Sequence, residues 1–255
     1  MDPKGTVAIV TGGGTGIGRA VCLALAQAGT RAVAVNYSRS EKEARATAGE
    51  LAKHGCEGLA VKADVADEAQ VRELVAGTVK HFGRLDVLVN NAGVTRFIPH
   101  PQLDGLTDEV WDAILGINLK GTFYCCRAAA PEIARNRGVI VNIASIAGHR
   151  AGGSSIAYAV SKAAVLQLTR GLALALAPDV RVNSVSPGLV ATRWFRVPFG
   201  EEAAEAQEER FAEMTPLKRV ASPEDVADAV LAFVRSDFLT GQDLIVDGGK
   251  HAVYP

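Results

Sequence analysis

Tyr158 and Lys162 stand four residues apart in Tyr158-Ala-Val-Ser-Lys162, within a stretch that reads as a long helix over 156–177. At that spacing both side chains leave one helix face. An ammonium beside a phenol favours the phenolate and lowers the Tyr pKa from its ordinary value of about 10. The pair could then give or take a proton near neutral pH. Tyr and Lys also occur four apart on many helices that do no chemistry. The meaning of the pair therefore depends on what other elements bring to it.

A second stretch with chemical potential is Thr11-Gly12-Gly13-Gly14-Thr15-Gly16-Ile17-Gly18. It follows the apolar run 7–10 at once and opens a helix over 19–28, ended by Gly29. Strand, Gly-rich turn and helix together point backbone N–H groups at a pyrophosphate. Glycines also serve turns that bind nothing, but this one opens a βαβ unit, which favours a dinucleotide site. The strand over 31–35 ends in Asn36-Tyr37-Ser38-Arg39-Ser40. A carboxylate at that strand end would hold the adenosine ribose of NAD and repel a 2′-phosphate. No acid is present, while Ser38 and Arg39 offer a hydroxyl and a guanidinium to a phosphate. The alternative for Arg39 is an ordinary solvated loop arginine. Asp64, after the strand over 58–61, can accept the adenine amino group or cap the next helix, 68–82, for which Asp67 is the better cap.

The elements that must position these residues alternate along the chain. Strands over 85–89, 139–143, 180–185 and 242–246 interleave with helices over 41–54, 68–82, 108–134, 156–177, 201–214 and 223–233. Continuous apolar runs suit strands buried on both faces, and the alternation predicts an α/β fold: one doubly wound, Rossmann-type parallel sheet with helices on both faces. No composition break divides residues 1–255, so a single domain is expected, with a substrate lid at about 189–218. Pro223 at the first position of its helix, after Ser222, marks a clear helix start.

Composition bounds the function classes. Of 255 residues, 48% are hydrophobic and 22% charged, with a net charge of −1, which fits a globular chain and offers no basic excess for nucleic acid. No apolar run looks long enough to span a bilayer, and Met1-Asp2-Pro3-Lys4 has no signal-peptide pattern, so neither a membrane nor nucleic acid is an expected partner. Cys22, Cys56, Cys125 and Cys126 form no zinc spacing. Free, buried thiols in a reducing cytoplasm are expected, with no metal.

Taken together, Thr11-Gly12-x-x-x-Gly16-x-Gly18, Asp64, Asn90-Asn91-Ala92-Gly93, Asn118, Ser145, Tyr158-x-x-x-Lys162 and Pro187-Gly188 resemble the short-chain dehydrogenase/reductases over essentially the whole length. The general pattern is nearest to bacterial 3-oxoacyl-acyl-carrier-protein reductases. The resemblance implies a nicotinamide cofactor and reversible carbonyl/alcohol chemistry. Tyr158 would then be the acid/base and Lys162 would hold the nicotinamide ribose. Ser145 would hydrogen-bond the substrate oxygen. Asn118 would shape a helix kink and hold a water that links Lys162 to solvent. Gly12, Thr15, Gly16, Ile17 and Gly18 would lie along the pyrophosphate, and Asp64 and Val65 at the adenine. Asn91, Ala92 and Gly93 would run along the cofactor. Val190 and Thr192, after Pro187-Gly188, would hold the carboxamide. Two departures stand out: Ala144 precedes Ser145 where many members have a second serine, and Thr15 stands where some NADP-preferring members carry a base. NADP is favoured on Arg39 and the missing acid at Asn36, with NAD the alternative.

The substrate is a small-molecule carbonyl or alcohol. Arg96, Arg150, Arg193 and Arg196 could meet a carboxylate or phosphate, or be surface arginines. Trp194, Phe195, Val197 and Phe199 could cover a hydrophobic substrate, or pack on the scaffold. A 3-oxoacyl-acyl-carrier-protein reductase and an NAD-dependent sugar, polyol or steroid dehydrogenase are the specific alternatives. A non-catalytic nucleotide sensor is disfavoured by the intact Asn118, Ser145, Tyr158 and Lys162. A homotetramer, or a homodimer, is expected by resemblance, with the 156–177 helix and the last strand as the self-association surfaces.

Overall fold

Four consecutive apolar residues, Val7–Val10, form the first strand (β1), buried on both faces. The computed structural model describes residues 1–252 and, within them, every side chain but that of Phe195, so the expectation for Phe195 lies outside the described residues. Around β1 the chain builds β2 (Ala32–Tyr37), β3 (Glu57–Lys62), β4 (Val87–Asn90), β5 (Val139–Ile143), β6 (Arg181–Pro187) and β7 (Asp243–Val246). All pairings are parallel, in the order β3-β2-β1-β4-β5-β6-β7. The order reverses between β1 and β4, which opens a crevice beyond their carboxyl ends. Side-chain alternation divides β1 between two cores: Ala8 and Val10 pack with Leu25, Val35 and Val230, while Val7 and Ile9 pack with Leu74, Leu88 and Ile133.

The helices are α1 (Gly16–Gln27), α2 (Glu41–Leu51), α3 (Glu68–Phe82), α4 (Asp108–Leu115), α5 (Thr122–Ala134), α6 (Ile156–Leu176), α7 (Arg193–Phe199), α8 (Glu201–Met214) and α9 (Pro223–Arg235). Their starts follow from the sequence: Asp67 accepts from the N–H groups of Ala69 and Gln70, and Ser222 and Asp225 form a reciprocal capping box.

Four expectations need correction. β2 runs on through Asn36 and Tyr37, so Asn36 is a buried strand residue and not the strand's exposed end. The helix expected over 108–134 is broken into α4, a π-helical turn over Gly116–Gly121, and α5. The segment 189–218 holds two helices, with Pro198 inside α7. By length and composition α6 is apolar enough to cross a membrane, against the expectation of no such run. It nevertheless packs along β6 and carries the buried Lys162 into the domain.

Candidate active site

The Gly-rich turn is held from three sides. Thr11 Oγ1 accepts from the N–H groups of Asn91 (2.9 Å) and Ala92 (3.0 Å). The Asn91 amide donates back to the carbonyls of Thr11 (2.9 Å) and Gly12 (3.1 Å). Asn36 accepts from the Gly12 N–H at 3.4 Å and donates to the Ala63 carbonyl at 3.0 Å. Asn36 therefore ties the turn to the end of β3 and has no free group for a ribose. At Gly18 only hydrogen fits, because a Cβ there would lie 2.3 Å from the Gly12 carbonyl oxygen. α1 starts at Gly16 with no side-chain cap hydrogen bond from Thr15, so its first N–H groups face the crevice without a capping partner.

The acid/base pair is positioned by α6. Ser155 caps that helix by accepting from the Tyr158 N–H (3.3 Å), which sets where the first turn begins. Tyr158 lies beside the Ser145 hydroxyl in the cleft. Ser145 lies just past β5, and its Oγ accepts from the Ala147 N–H at 3.2 Å. One turn along α6, Lys162 is buried, with its Nζ 5.8 Å from the Tyr158 ring centroid and donating to the Ile143 carbonyl at 2.8 Å. Asn118 sits in the π-helical turn and clamps the Val94 backbone in both directions, at 2.8 and 3.0 Å. It also donates to Ser161 Oγ (3.0 Å), which in turn donates to the Tyr158 carbonyl (2.7 Å). Gly93 separates this group from Lys162: a Cβ there would meet Asn118 Oδ1 at 3.4 Å and Lys162 Nζ at 3.8 Å.

Electrostatics correct the first expectation. Burial pushes the Tyr158 phenol up to about 12, and the nearby Ser145 hydroxyl opposes this only in part. Burial pushes Lys162 down to about 8. For the polypeptide by itself, desolvation therefore outweighs the lowering expected from a Lys one turn away, because each group is charged only at the expense of leaving water.

A single cleft of about 1220 Å³ collects the expected residues. Gly12, Thr15, Gly16, Ile17, Asn91, Ala92 and Gly93 line its middle, and Ser38, Arg39, Asp64 and Val65 line one end. Ser145, Tyr158, Lys162, Pro187, Gly188 and Val190 line the other, and Thr192 lines the cleft beside Gly16. Gly18 and Asn118 do not line it; they stand behind it and support it. Asp64 turns its Oδ1 to the Ala66 N–H at 3.0 Å and leaves the capping of α3 to Asp67. Thr192 caps α7 by accepting from the Trp194 N–H (3.3 Å) and packs on Gly16, where a Cβ would lie 3.3 Å from its methyl. Of the four arginines, Arg196 is paired with Glu201 and Glu208, Arg150 donates to the Lys250 carbonyl, and Arg96 to the Thr95 carbonyl. Arg193 reaches Ser40 and Glu43. Among the described residues no group of His, Cys, Asp and Glu has a metal-binding arrangement. Four supporting parts were not singled out in the sequence: Ser155, Ser161, Val94 and the Ile143 carbonyl. Ser155, a serine just before an apolar helix, was legible as a cap; the other three depend on contacts between elements.

The glycine cradle, the uncapped α1 N-terminus and the length of the cleft fit a dinucleotide, with an acid/base pair at its far end. This is the arrangement of a Rossmann-type oxidoreductase. A family model described as "Enoyl-(Acyl carrier protein) reductase" matches residues 12–251. The chain is 48% identical over 255 residues to "Granaticin polyketide synthase putative ketoacyl reductase 2" of Streptomyces violaceoruber, covering 98% of this chain and 97% of the relative. It is 36% identical over 249 residues to the 3-oxoacyl-(acyl-carrier-protein) reductase FabG of Staphylococcus aureus, covering 96% and 97%. A crystal structure of a short-chain type dehydrogenase/reductase from Mycobacterium marinum superposes with a TM-score of 0.88 at 33% identity, covering 99% of this chain and 98% of the other. The chain belongs to the short-chain dehydrogenase/reductase family and is an oxidoreductase.

Proposed function

We propose that this protein is an NADP-dependent reductase of 3-oxoacyl thioesters, with Tyr158 as the acid/base. The observation that carries the reading is Ser145 beside Tyr158, with Lys162 one turn on, at the end of a cleft whose other end offers Ser38 and Arg39. Arg39 makes no hydrogen bond or ion pair among the described residues, which leaves its guanidinium to a 2′-phosphate. The apolar walls near Tyr158 support an acyl chain over a polyol: Trp194 packs 6.1 Å from the Tyr158 ring, and Phe97 packs edge-on to Phe199 at 4.7 Å. The names of the two relatives point the same way.

A bound nicotinamide supplies the hydride that the carbonyl carbon accepts. Tyr158, a neutral phenol at its raised pKa, gives its O–H proton to the carbonyl oxygen. Ser145 donates a hydrogen bond to the same oxygen as negative charge develops on it. Lys162 holds the ribose hydroxyls and, as a cation, stabilises the phenolate that remains. A water held beside Asn118 would return a proton to Lys162 and from there to Tyr158. Val190 and Thr192 hold the carboxamide, and the segment 189–218 covers the substrate as a lid. The chain forms one domain, works in a reducing cytoplasm consistent with its four free, buried cysteines, and assembles as a homotetramer.

The test is a substrate panel of acetoacetyl thioesters, sugars, steroids and small ketones with NADPH, run on wild type and Tyr158→Phe. Thioester reduction should dominate and fall by about 10²- to 10⁴-fold in the variant, with NADPH binding retained. Preference for a sugar or steroid with NADH would replace this reading with the NAD-dependent dehydrogenase one, and full activity of the variant would remove Tyr158 from the chemistry.

A further inference from the structure

The start of α7 crosses back over the Gly-rich turn. Thr192 packs on Gly16, and Gly14 abuts α2, where a Cβ would lie 2.8 Å from the Ala44 N. The next residue, Arg193, spans the gap between these contacts. Its guanidinium donates to Ser40 Oγ at 2.8 Å and lies 3.6 Å from Glu43 Oε1. Ser40 is the N-cap residue of α2, yet its hydroxyl makes no capping bond to that helix; it accepts from Arg193 instead. Ser38, Arg39, Ser40 and Arg193 all line the same end of the cleft. One arginine of that group is uncommitted and the other is held by a hydroxyl and an exposed carboxylate.

We propose that Arg193 is a second, lid-borne ligand for the adenosine 2′-phosphate, released from Glu43 when the phosphate arrives. The proposal rests on the NADP reading above. Two guanidiniums from different segments, Arg39 after β2 and Arg193 at the start of α7, would then grip one dianion from opposite sides. A phosphate dianion is a stronger partner for a guanidinium than a half-exposed carboxylate, because it carries more charge and offers more acceptor oxygens. Glu43 keeps the guanidinium near its working position until then and disfavours a misplaced anion. Closing of α7 over the cleft thereby becomes coupled to the feature that distinguishes NADP from NAD, far from the reacting carbonyl.

The test is calorimetric or fluorescence titration of the full chain with NADPH, NADH, 2′,5′-ADP and 5′-AMP, which needs no turnover. Arg193→Ala should weaken NADPH and 2′,5′-ADP by about ten-fold while leaving NADH and 5′-AMP within about two-fold, as loss of one charge-assisted contact predicts. Unchanged NADH binding also shows that the variant is folded. Glu43→Gln should tighten NADPH, and that gain should disappear in the Arg193→Ala background. Equal losses for both dinucleotides would assign Arg193 to the pyrophosphate and overturn the proposal. So would no loss, or a Glu43→Gln gain that persists without Arg193. Wild type binding NADH more tightly than NADPH would instead overturn the NADP reading itself.

Discussion

Lys162 is asked to be a cation in a place that disfavours charge. Its Nζ has the Ile143 carbonyl and the face of Tyr158 nearby, and burial holds its pKa at about 8. The consequence for stability has a definite sign. The unfolded chain titrates near 10.5, so below pH 8 the folded protein bears the full cost of a buried ammonium; between about 8 and 10.5 that cost fades as the folded lysine loses its proton first. Lys162→Met should therefore be more stable than wild type at pH 7 by roughly 3 kcal/mol. The advantage should shrink towards zero as urea titrations are repeated up to pH 10.5. Tyr158 has the opposite dependence, losing stability above pH 10, so the comparison is read from the change between pH 7 and pH 10. An advantage that did not change with pH would mean that packing, and not charge, separates the two. The residue types at Tyr158 and Lys162 were legible as a possible acid/base from their spacing alone. Their actual pKa directions were not, because desolvation depends on what Trp194, Ile143 and Ser145 place around them.

The turn between β1 and α1 shows how one element can be specified closely by sequence and still depend on others. The glycines mark it, but its shape is held by Asn91 from the end of β4 and Asn36 from within β2. Gly18→Ala should force the turn open, since the added carbon would lie 2.3 Å from the Gly12 oxygen and 2.6 Å from Asn91 Nδ2. A loss of roughly 1–3 kcal/mol in denaturant titration is expected from such overpacking, together with loss of dinucleotide binding by fluorescence. Normal binding by this variant would show that the turn has slack the contacts do not suggest. The π-helical turn is the contrasting case. The sequence reads as one continuing helix over 108–134, and the clamp of Asn118 on Val94 and the close packing of Gly121 on Val65 accompany the π-helical turn that breaks it. Asn36 likewise looked like a strand end because its polarity ends an apolar run. In the sheet its amide is consumed by four backbone groups, which leaves Ser38 and Arg39 as the groups that favour NADP.

At the scale of the molecule, Leu174 and Phe238 are the two most exposed of the large apolar side chains among the described residues. Leu174 on α6 is 85% exposed, and Phe238, in the turn before β7, is 96% exposed. Groups of this size are stabilised by burial against a partner; Leu174 lies on the helix expected to self-associate, and Phe238 lies in the segment that leads into the other expected surface, β7. Leu174→Glu and Phe238→Glu should each lower the assembly state by one step, for example tetramer to dimer, in sedimentation velocity, with the far-UV spectrum unchanged. A wild-type protein that sediments only as a monomer at micromolar concentration would end this expectation.

Alternating apolar runs and amphipathic stretches determine the order of strands and helices and their parallel winding, because a strand buried on both faces has few other ways to be covered. The resemblance of the motifs around Gly12, Gly16, Ser145, Tyr158 and Lys162 to those of the family implied that these residues meet, and the fold brings them to one cleft. The tertiary structure decided what local pattern could not carry: which polar side chains are consumed by the scaffold, as Asn36 and Asn91 are, and which remain for a ligand, as Arg39 does. It also decided the sign of the pKa shifts and brought Arg193 from the start of α7 to Ser40, 153 positions away. Those outcomes depend on burial and on contacts between segments distant in the chain, which exist only once the sheet has assembled.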